Sequence, residues 1–277
     1  MSQPLIEVPA ERILRHVLRP PQTLTLPMQV RVQPAVGTPA PLLTSPFYLA
    51  NIGSAESPLL LDLRFAETDH GFWIALLMTN ERYPFDLTVM GGEILRRIRA
   101  QGIAFDGVVA PETLGSKLSQ EIARQSGNYT LHTTLQKGKP RVDEAGNLVV
   151  AAPKAWIGEE MGIAVSSGTS HPAAQQKLYL DPRVTERLRA LPNGVLLVDD
   201  ARLSSGTVSS SMALLRRLGV RIAAVATVLN ESTPVNELDG IPYIWLTKLP
   251  IFDREADGWR PRAGTYEGLL AFYIEEG

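Results

Sequence analysis

Asp199 and Asp200 stand side by side, and Leu203, Ser204, Ser205, Gly206 and Thr207 follow almost at once. A Ser/Gly/Thr loop that runs into a helix offers unsatisfied backbone N–H groups, partial positive charge and hydroxyl donors. That combination suits a phosphate monoester. The two carboxylates would repel such a phosphate. They should therefore face hydroxyl donors or a cation, such as a ribose diol or Mg²⁺. Ser and Thr are also common helix caps, so an ordinary crevice in a doubly wound sheet is the plainer alternative. Ser166, Ser167, Gly168 and Thr169 nearly repeat the loop. They lack an acidic pair and lead to His171 and Pro172 instead of a helix, and read as a turn.

The acidic pair must be positioned by the strongly apolar strand expected at 194–199. Residues 207–218 follow as a helix with Val208, Met212, Leu215 and Leu218 on one stripe. A further strand is expected at 221–229. Upstream, Leu87, Met90, Ile94, Leu95 and Ile98 recur at helical spacing within 86–100, and Gly91 and Gly92 lie inside that pattern without a dinucleotide fingerprint. Residues 105–110 and 129–134 read as strands and 116–125 as a helix. Apolar strands alternating with amphipathic helices predict an α/β fold, with a mainly parallel sheet flanked by helices. Right-handed crossovers then gather the strand C-termini on one ligand-binding edge.

Residues 135–176 are too long for an ordinary connection and are expected to form a lid with some strand content. Residues 10–18 suggest a short amphipathic helix. The stretch 32–55 carries no charge and holds Pro34, Pro39, Pro41 and Pro46, which favours extended or loop structure. Runs 58–63 and 72–79 suggest a hairpin. Runs 241–246 and 268–274 suggest further strands. The expected division is an N-terminal extension or hood, 1–81, and an α/β domain, 82–277.

This arrangement resembles the type I phosphoribosyltransferases over about 85–230. Their signature is a hydrophobic strand, two acidic residues and a loop commonly ending Thr-Gly-Gly-Thr. Asp199, Asp200, Gly206 and Thr207 match it, while Ser204 and Ser205 replace the usual Thr and first Gly. The resemblance implies that 203–207 binds the 5′-phosphate and that Asp199 and Asp200 serve the ribose hydroxyls during catalysis. Glu112, Thr113, Leu114 and Gly115 fall where the family keeps its pyrophosphate loop. Leu114 stands where relatives usually carry Lys or Arg. Lys117 reads either as compensation or as a solvated helix lysine. After the 129–134 strand, Lys137 and Lys139 match basic positions, and Lys139 is assigned to pyrophosphate. Leu135 and Gln136 replace two other basic residues.

Residues 177–181 look like the adenine-type branch. The implied activity is transfer of a phosphoribosyl group from phosphoribosyl pyrophosphate to a base, within nucleotide salvage, by a homodimer. Adenine-type purines come first and orotate-like pyrimidines second, with Mg²⁺ bound mainly through the ligand. The alternative is a non-catalytic sensor of phosphoribosyl ligands with the same fold.

Composition narrows the classes further. Lys plus Arg number 27 against 29 Asp plus Glu, and a net charge of −2 gives no drive toward nucleic acid or anionic membrane. Zero cysteines exclude disulfides, thiolate metal sites and a cysteine nucleophile. His16, His70, His132 and His171 show no ligand spacing. No apolar run approaches the ~20 residues of a spanning helix, and no leader pattern opens the sequence, so a cytoplasmic protein is expected.

Overall fold

The structure is a computed structural model that describes residues 5–8, 12–14, 28–32, 42–43, 47–53, 57, 59–67, 71–76, 87–112, 114–128, 131–142, 148–151, 162–165, 176–202, 206–231, 234–265 and 272–275. The first strands are β1 (Leu5–Val8), β2 (Ile13–Leu14), β3 (Met28–Val32), β4 (Phe47–Asn51), β5 (Leu60–Glu67) and β6 (Trp73–Leu76). Next come α1 (Leu87–Ala100), β7 (Gly107–Pro111), α2 (Leu114–Ser126), β8 (His132–Lys137), β9 (Lys139–Val142), β10 (Leu148–Ala151), β11 (Gly162–Val165) and β12 (Gln176–Tyr179). The remainder is α3 (Pro182–Arg189), β13 (Val195–Arg202), α4 (Thr207–Arg217), β14 (Ile222–Asn230), β15 (Glu237–Leu238), β16 (Ile241–Lys248), β17 (Phe252–Glu255), β18 (Gly258–Pro261) and β19 (Phe272–Glu275).

Two compact units divide the chain. One comprises Leu87–Val228 and Pro234–Trp245, and the other Met1–Asp86, Leu229–Thr233 and Leu246–Gly277. The sequence places 246–277 with the α/β domain. The structure groups them with the N-terminal residues instead, because β17 joins β6 and β19 joins β3.

The α/β unit is built on an eight-stranded sheet in the order β11-β12-β8-β7-β13-β14-β16-β15. The sheet is mainly parallel at its centre. β13 runs parallel to β7, with Leu196 opposite Val108, and β7 runs parallel to β8, with Val109 opposite Thr133. β12 is antiparallel to β8, and β11 to β12. All five residues of β7 are buried, as are the first five of β13. Successive side chains alternate between the faces, so an uninterrupted apolar run serves a sheet covered on both. Val109, Val195 and Leu197 join a core with Val208, Met212 and Leu215 of α4 and Leu188 of α3. Leu197→Ala should therefore cost about 2–5 kcal/mol in denaturant unfolding, the range for a cavity at a site that cannot collapse.

α3 has no counterpart among the elements expected from sequence. Asp181 caps it by accepting from the Arg183 N–H at 2.8 Å, and Pro182 occupies its first turn. The strand expected at 129–134 lies at 132–137, because His132 to Leu135 pair with Val108 to Pro111. Leu135 is thus a fully buried sheet residue, and the first three positions of the expected lid belong to β8. Beyond them, β9 and β10 form an antiparallel pair.

The other unit is all β among its described residues. β5 pairs antiparallel with β4 and β6, which gives the expected hairpin, and β17 extends the sheet to β18. β3 holds β1 on one side and β19 on the other. Ile13 and Leu14 form a strand parallel to β5 where a helix was expected, while 10–11 and 15–18 lie outside the described residues. Pairing beside the buried Leu60 and Leu61 outweighs the weak helical spacing. Phe65 stacks on Trp259 with centroids 4.6 Å apart, and the Arg254 guanidinium lies 4.0 Å from the Trp259 ring centre. Among the described residues, no helix is long and apolar enough to cross a membrane.

Candidate active site

Parallel register brings the C-terminal ends of β7 and β13 together, so the two strand-to-helix turns converge on one edge of the sheet. β13 ends in Asp199, Asp200, Ala201 and Arg202, and α4 begins at Thr207 after the Gly206 cap. α4 has no side-chain cap, and its first backbone bond is Ser210 N–H to Gly206 O at 3.1 Å. The N–H groups of its first turn therefore have no partner within the helix. Leu203, Ser204 and Ser205 lie outside the described residues.

α2 supplies the opposite wall. A Cβ built on Gly115 would stand 2.8 Å from Asp199 Oδ1, 3.1 Å from Asp199 Cα and 3.2 Å from Val198 O. Only a residue without a side chain lets the start of α2 approach the acidic strand so closely. Gly115 and Asp199, assigned on separate grounds from sequence, are thus neighbours. Thr113 lies outside the described residues, and for Leu114 and Lys139 the backbone alone is described.

Glu112 closes the gap between β7 and β8. Its N–H donates to Leu135 O at 2.8 Å, and its Oε2 accepts the Lys137 N–H at 2.9 Å. Its carboxylate is committed to the protein backbone. α2 is tied to β8 a second time through Ser119 Oγ and His132 Nε2, 2.8 Å apart. Burial lowers the His132 pKa, and the wholly buried Ser119 also donates to Ser116 O. This pair is a structural clip between the elements that carry Gly115 and Lys137.

The electrostatics centre on the two carboxyls. Burial, followed by the neighbouring Asp200 charge, pushes Asp199 well above the usual carboxylate range, while the Asp200 N–H and Lys137 pull it down. Burial also raises Asp200, against hydrogen bonds from Asp199 and the local backbone and against Lys137. Of the two carboxyls, Asp199 is raised the more. Asp200 N–H donates to Asp199 Oδ1 at 3.0 Å and fixes that carboxyl group. The site thus presents two carboxyl groups side by side, a combination suited to a sugar diol.

Arg202 and Tyr243 complete the site and were not singled out from sequence. The Arg202 guanidinium lies 5.5 Å from the Tyr243 ring centre, and the Tyr243 hydroxyl is 2.7 Å from Thr227 Oγ1. Burial raises the Tyr243 pKa, and both Arg202 and Asp199 act on it. Tyr243 sits inside an apolar run that reads as core, which hid it. Arg202 could have been found, because it separates the acidic pair from the loop.

Three comparisons bear on this geometry. No protein-family model matches the chain. The chain is 32% identical over 63 residues to orotate phosphoribosyltransferase from Acidithiobacillus ferrooxidans. That match takes in 23% of this chain and spans about a third of that relative's length, 32%. Among solved structures it is similar to adenine phosphoribosyltransferase from Thermoanaerobacter pseudethanolicus, with 19% identity, 67% of this chain and 95% of that one covered, and a TM-score of 0.43. A second adenine phosphoribosyltransferase, from Rhodothermus marinus, has 15% identity, coverage of 67% and 93%, and a TM-score of 0.43. The local sequence match supports a divergent relationship to phosphoribosyltransferases, in line with the acidic-pair motif.

Proposed function

We propose that this site binds phosphoribosyl pyrophosphate and transfers its phosphoribosyl group to a nitrogenous base. The observation that carries the reading is the contact of Gly115 with Asp199, which joins two motifs far apart in sequence at the edge where a parallel sheet binds ligands. In this reading the loop 203–207 and the start of α4 hold the 5′-phosphate. Asp199 and Asp200 hold the ribose hydroxyls, and 113–115 with Lys139 border the pyrophosphate. The anomeric carbon–oxygen bond breaks, pyrophosphate leaves with the electron pair, and a ring nitrogen of the base forms the new bond and gives up its proton to solvent. Positive charge grows on the ribose ring meanwhile, so Asp200 stabilises it electrostatically while the loops fix its position.

Mg²⁺ takes part through the ligand. Pyrophosphate oxygens chelate such an ion themselves. Adenine-type purines are the first candidate bases and orotate-like pyrimidines the second. Leu114 favours one other reading: a sensor that binds the sugar phosphate without turnover, since the cation expected beside pyrophosphate is missing.

Calorimetry with phosphoribosyl pyrophosphate and Mg²⁺, beside ribose 5-phosphate, tests the site. Both should bind, and undetectable binding of both at millimolar concentration rejects the assignment. A panel of bases with pyrophosphate detection then separates enzyme from sensor. Leu114→Lys should strengthen phosphoribosyl pyrophosphate binding by up to ~1.5–3 kcal/mol, the contribution of one charge-assisted hydrogen bond. Ribose 5-phosphate should hardly respond. Equal changes for both ligands would mean that 112–115 does not border pyrophosphate.

A further inference from the structure

Glu112 completes a rung of the sheet that the backbone cannot make. In a parallel ladder, one residue donates its N–H to a carbonyl on the neighbouring strand and accepts, through its own carbonyl, the N–H two residues further along. Glu112 does the first, bonding to Leu135 O at 2.8 Å. At this point the chain is turning into α2, which begins at Leu114. The N–H that should complete the pattern belongs to Lys137, and it donates to Glu112 Oε2 at 2.9 Å instead. The carboxylate stands in for the carbonyl. On its other side, Lys137 is held in register opposite Leu178 of β12. Lys137 is therefore fixed on both flanks, one residue before the buried Gly138 and two before β9.

We infer that Glu112 is a positioning residue, pinning the Lys137 backbone at the root of the β9–β10 pair and thereby setting how far the Lys137 charge lies from Asp199 and Asp200. The Lys137 charge pulls both carboxyls down from a strand that β7 separates from theirs. Among the described residues, Arg202 on β13 and Tyr243 on β16 are further charged or titratable groups near the pair. The inference deepens the proposed function, since it reassigns Glu112 from ligand contact to site assembly. An acidic side chain beside pyrophosphate would repel it. One bound to a backbone N–H fixes the lysine without facing the anion.

The test uses the full chain and begins without ligand. Glu112→Gln keeps an acceptor oxygen at the same reach, and Glu112→Ala removes it. The Lys137 amide should exchange slowly in wild type and Glu112→Gln, and roughly tenfold faster or more in Glu112→Ala. In carboxyl NMR titrations, Lys137→Met should shift the Asp199–Asp200 transition upward. Glu112→Ala should shift it in the same direction, and Glu112→Gln should leave it in place. In calorimetry with phosphoribosyl pyrophosphate, Glu112→Ala and Lys137→Met should each weaken binding by roughly tenfold, and the double variant no more than Lys137→Met alone.

Equal damage from Glu112→Gln and Glu112→Ala would overturn the inference, because the charge and not the acceptor would then matter. An aspartate transition unmoved by Glu112→Ala would overturn it too. If wild type binds no phosphoribosyl pyrophosphate, the proposed function fails, while exchange and titration still decide the role of Glu112.

Discussion

Gly115→Ala is expected to weaken binding of both phosphoribosyl pyrophosphate and ribose 5-phosphate by roughly tenfold or more, and to cost about 1–3 kcal/mol of stability, as overpacking does. The new methyl would meet Asp199 Oδ1 at 2.8 Å and two further atoms of β13 within 3.2 Å. Two of these three neighbours, Asp199 Cα and Val198 O, are backbone atoms, so a side-chain rotation does not relieve the contact. α2 or the end of β13 must shift, and either movement displaces the carboxyl pair from the helix start. Gly92→Ala is the control. It lies in α1, where the methyl would meet only Gln125 Oε1 at 3.4 Å, and removing a mid-helix glycine should add roughly 0.5–1 kcal/mol. Thermal melts and calorimetry on both variants check the contrast. A Gly115→Ala protein with wild-type binding would show that α2 does not wall the site.

Asp199→Asn should separate stability from function. Its carboxyl titrates well above the usual value in the folded chain, with burial as the main cause. Between the unfolded and folded values the native state binds more protons than the unfolded state, so stability falls as pH rises through that interval. Above it the whole penalty persists. An amide of the same shape carries no such penalty. The melting temperature of Asp199→Asn should therefore gain on wild type as pH is raised above the usual carboxylate range. Turnover should fall by roughly 10²-fold or more, the scale set by losing one pre-positioned electrostatic contact. A variant that loses stability at neutral pH would mean that Lys137 and the start of α2 hold the carboxylate charged in spite of burial.

Much of the α/β unit could be read from the sequence, because period and burial agree there. β7, β13, α1 and α4 each carry an apolar pattern long enough to decide between helix and strand, and parallel pairing of β7 with β13 follows from that alternation. The neighbourhood of Asp199 and Asp200 with Gly206 and Thr207 is a matter of chain adjacency. What stayed hidden depends on contacts that no periodicity encodes. The Glu112 bond goes to a backbone N–H, which every residue type carries, so the side chain of Lys137 gives no hint of it. α3 is only eight residues long, too short for its stripe to stand out, although Asp181 and Pro182 mark its start. The β17–β18 hairpin turns at Ala256 and Asp257, just before Gly258, an ordinary signal, but nothing local says that β17 joins β6.

That last pairing sets an order of events during synthesis. β3 receives β19, and β6 receives β17, so strands made early wait for partners made much later. Closing so long a loop is slow compared with the short-range pairings of β4, β5 and β6. The α/β unit needs little from the final residues and can assemble while β1 to β6 still present unfilled strand edges. A nascent chain halted before residue 250 would hold strands β7 and β13 yet leave β3 and β6 open to pairing with other chains.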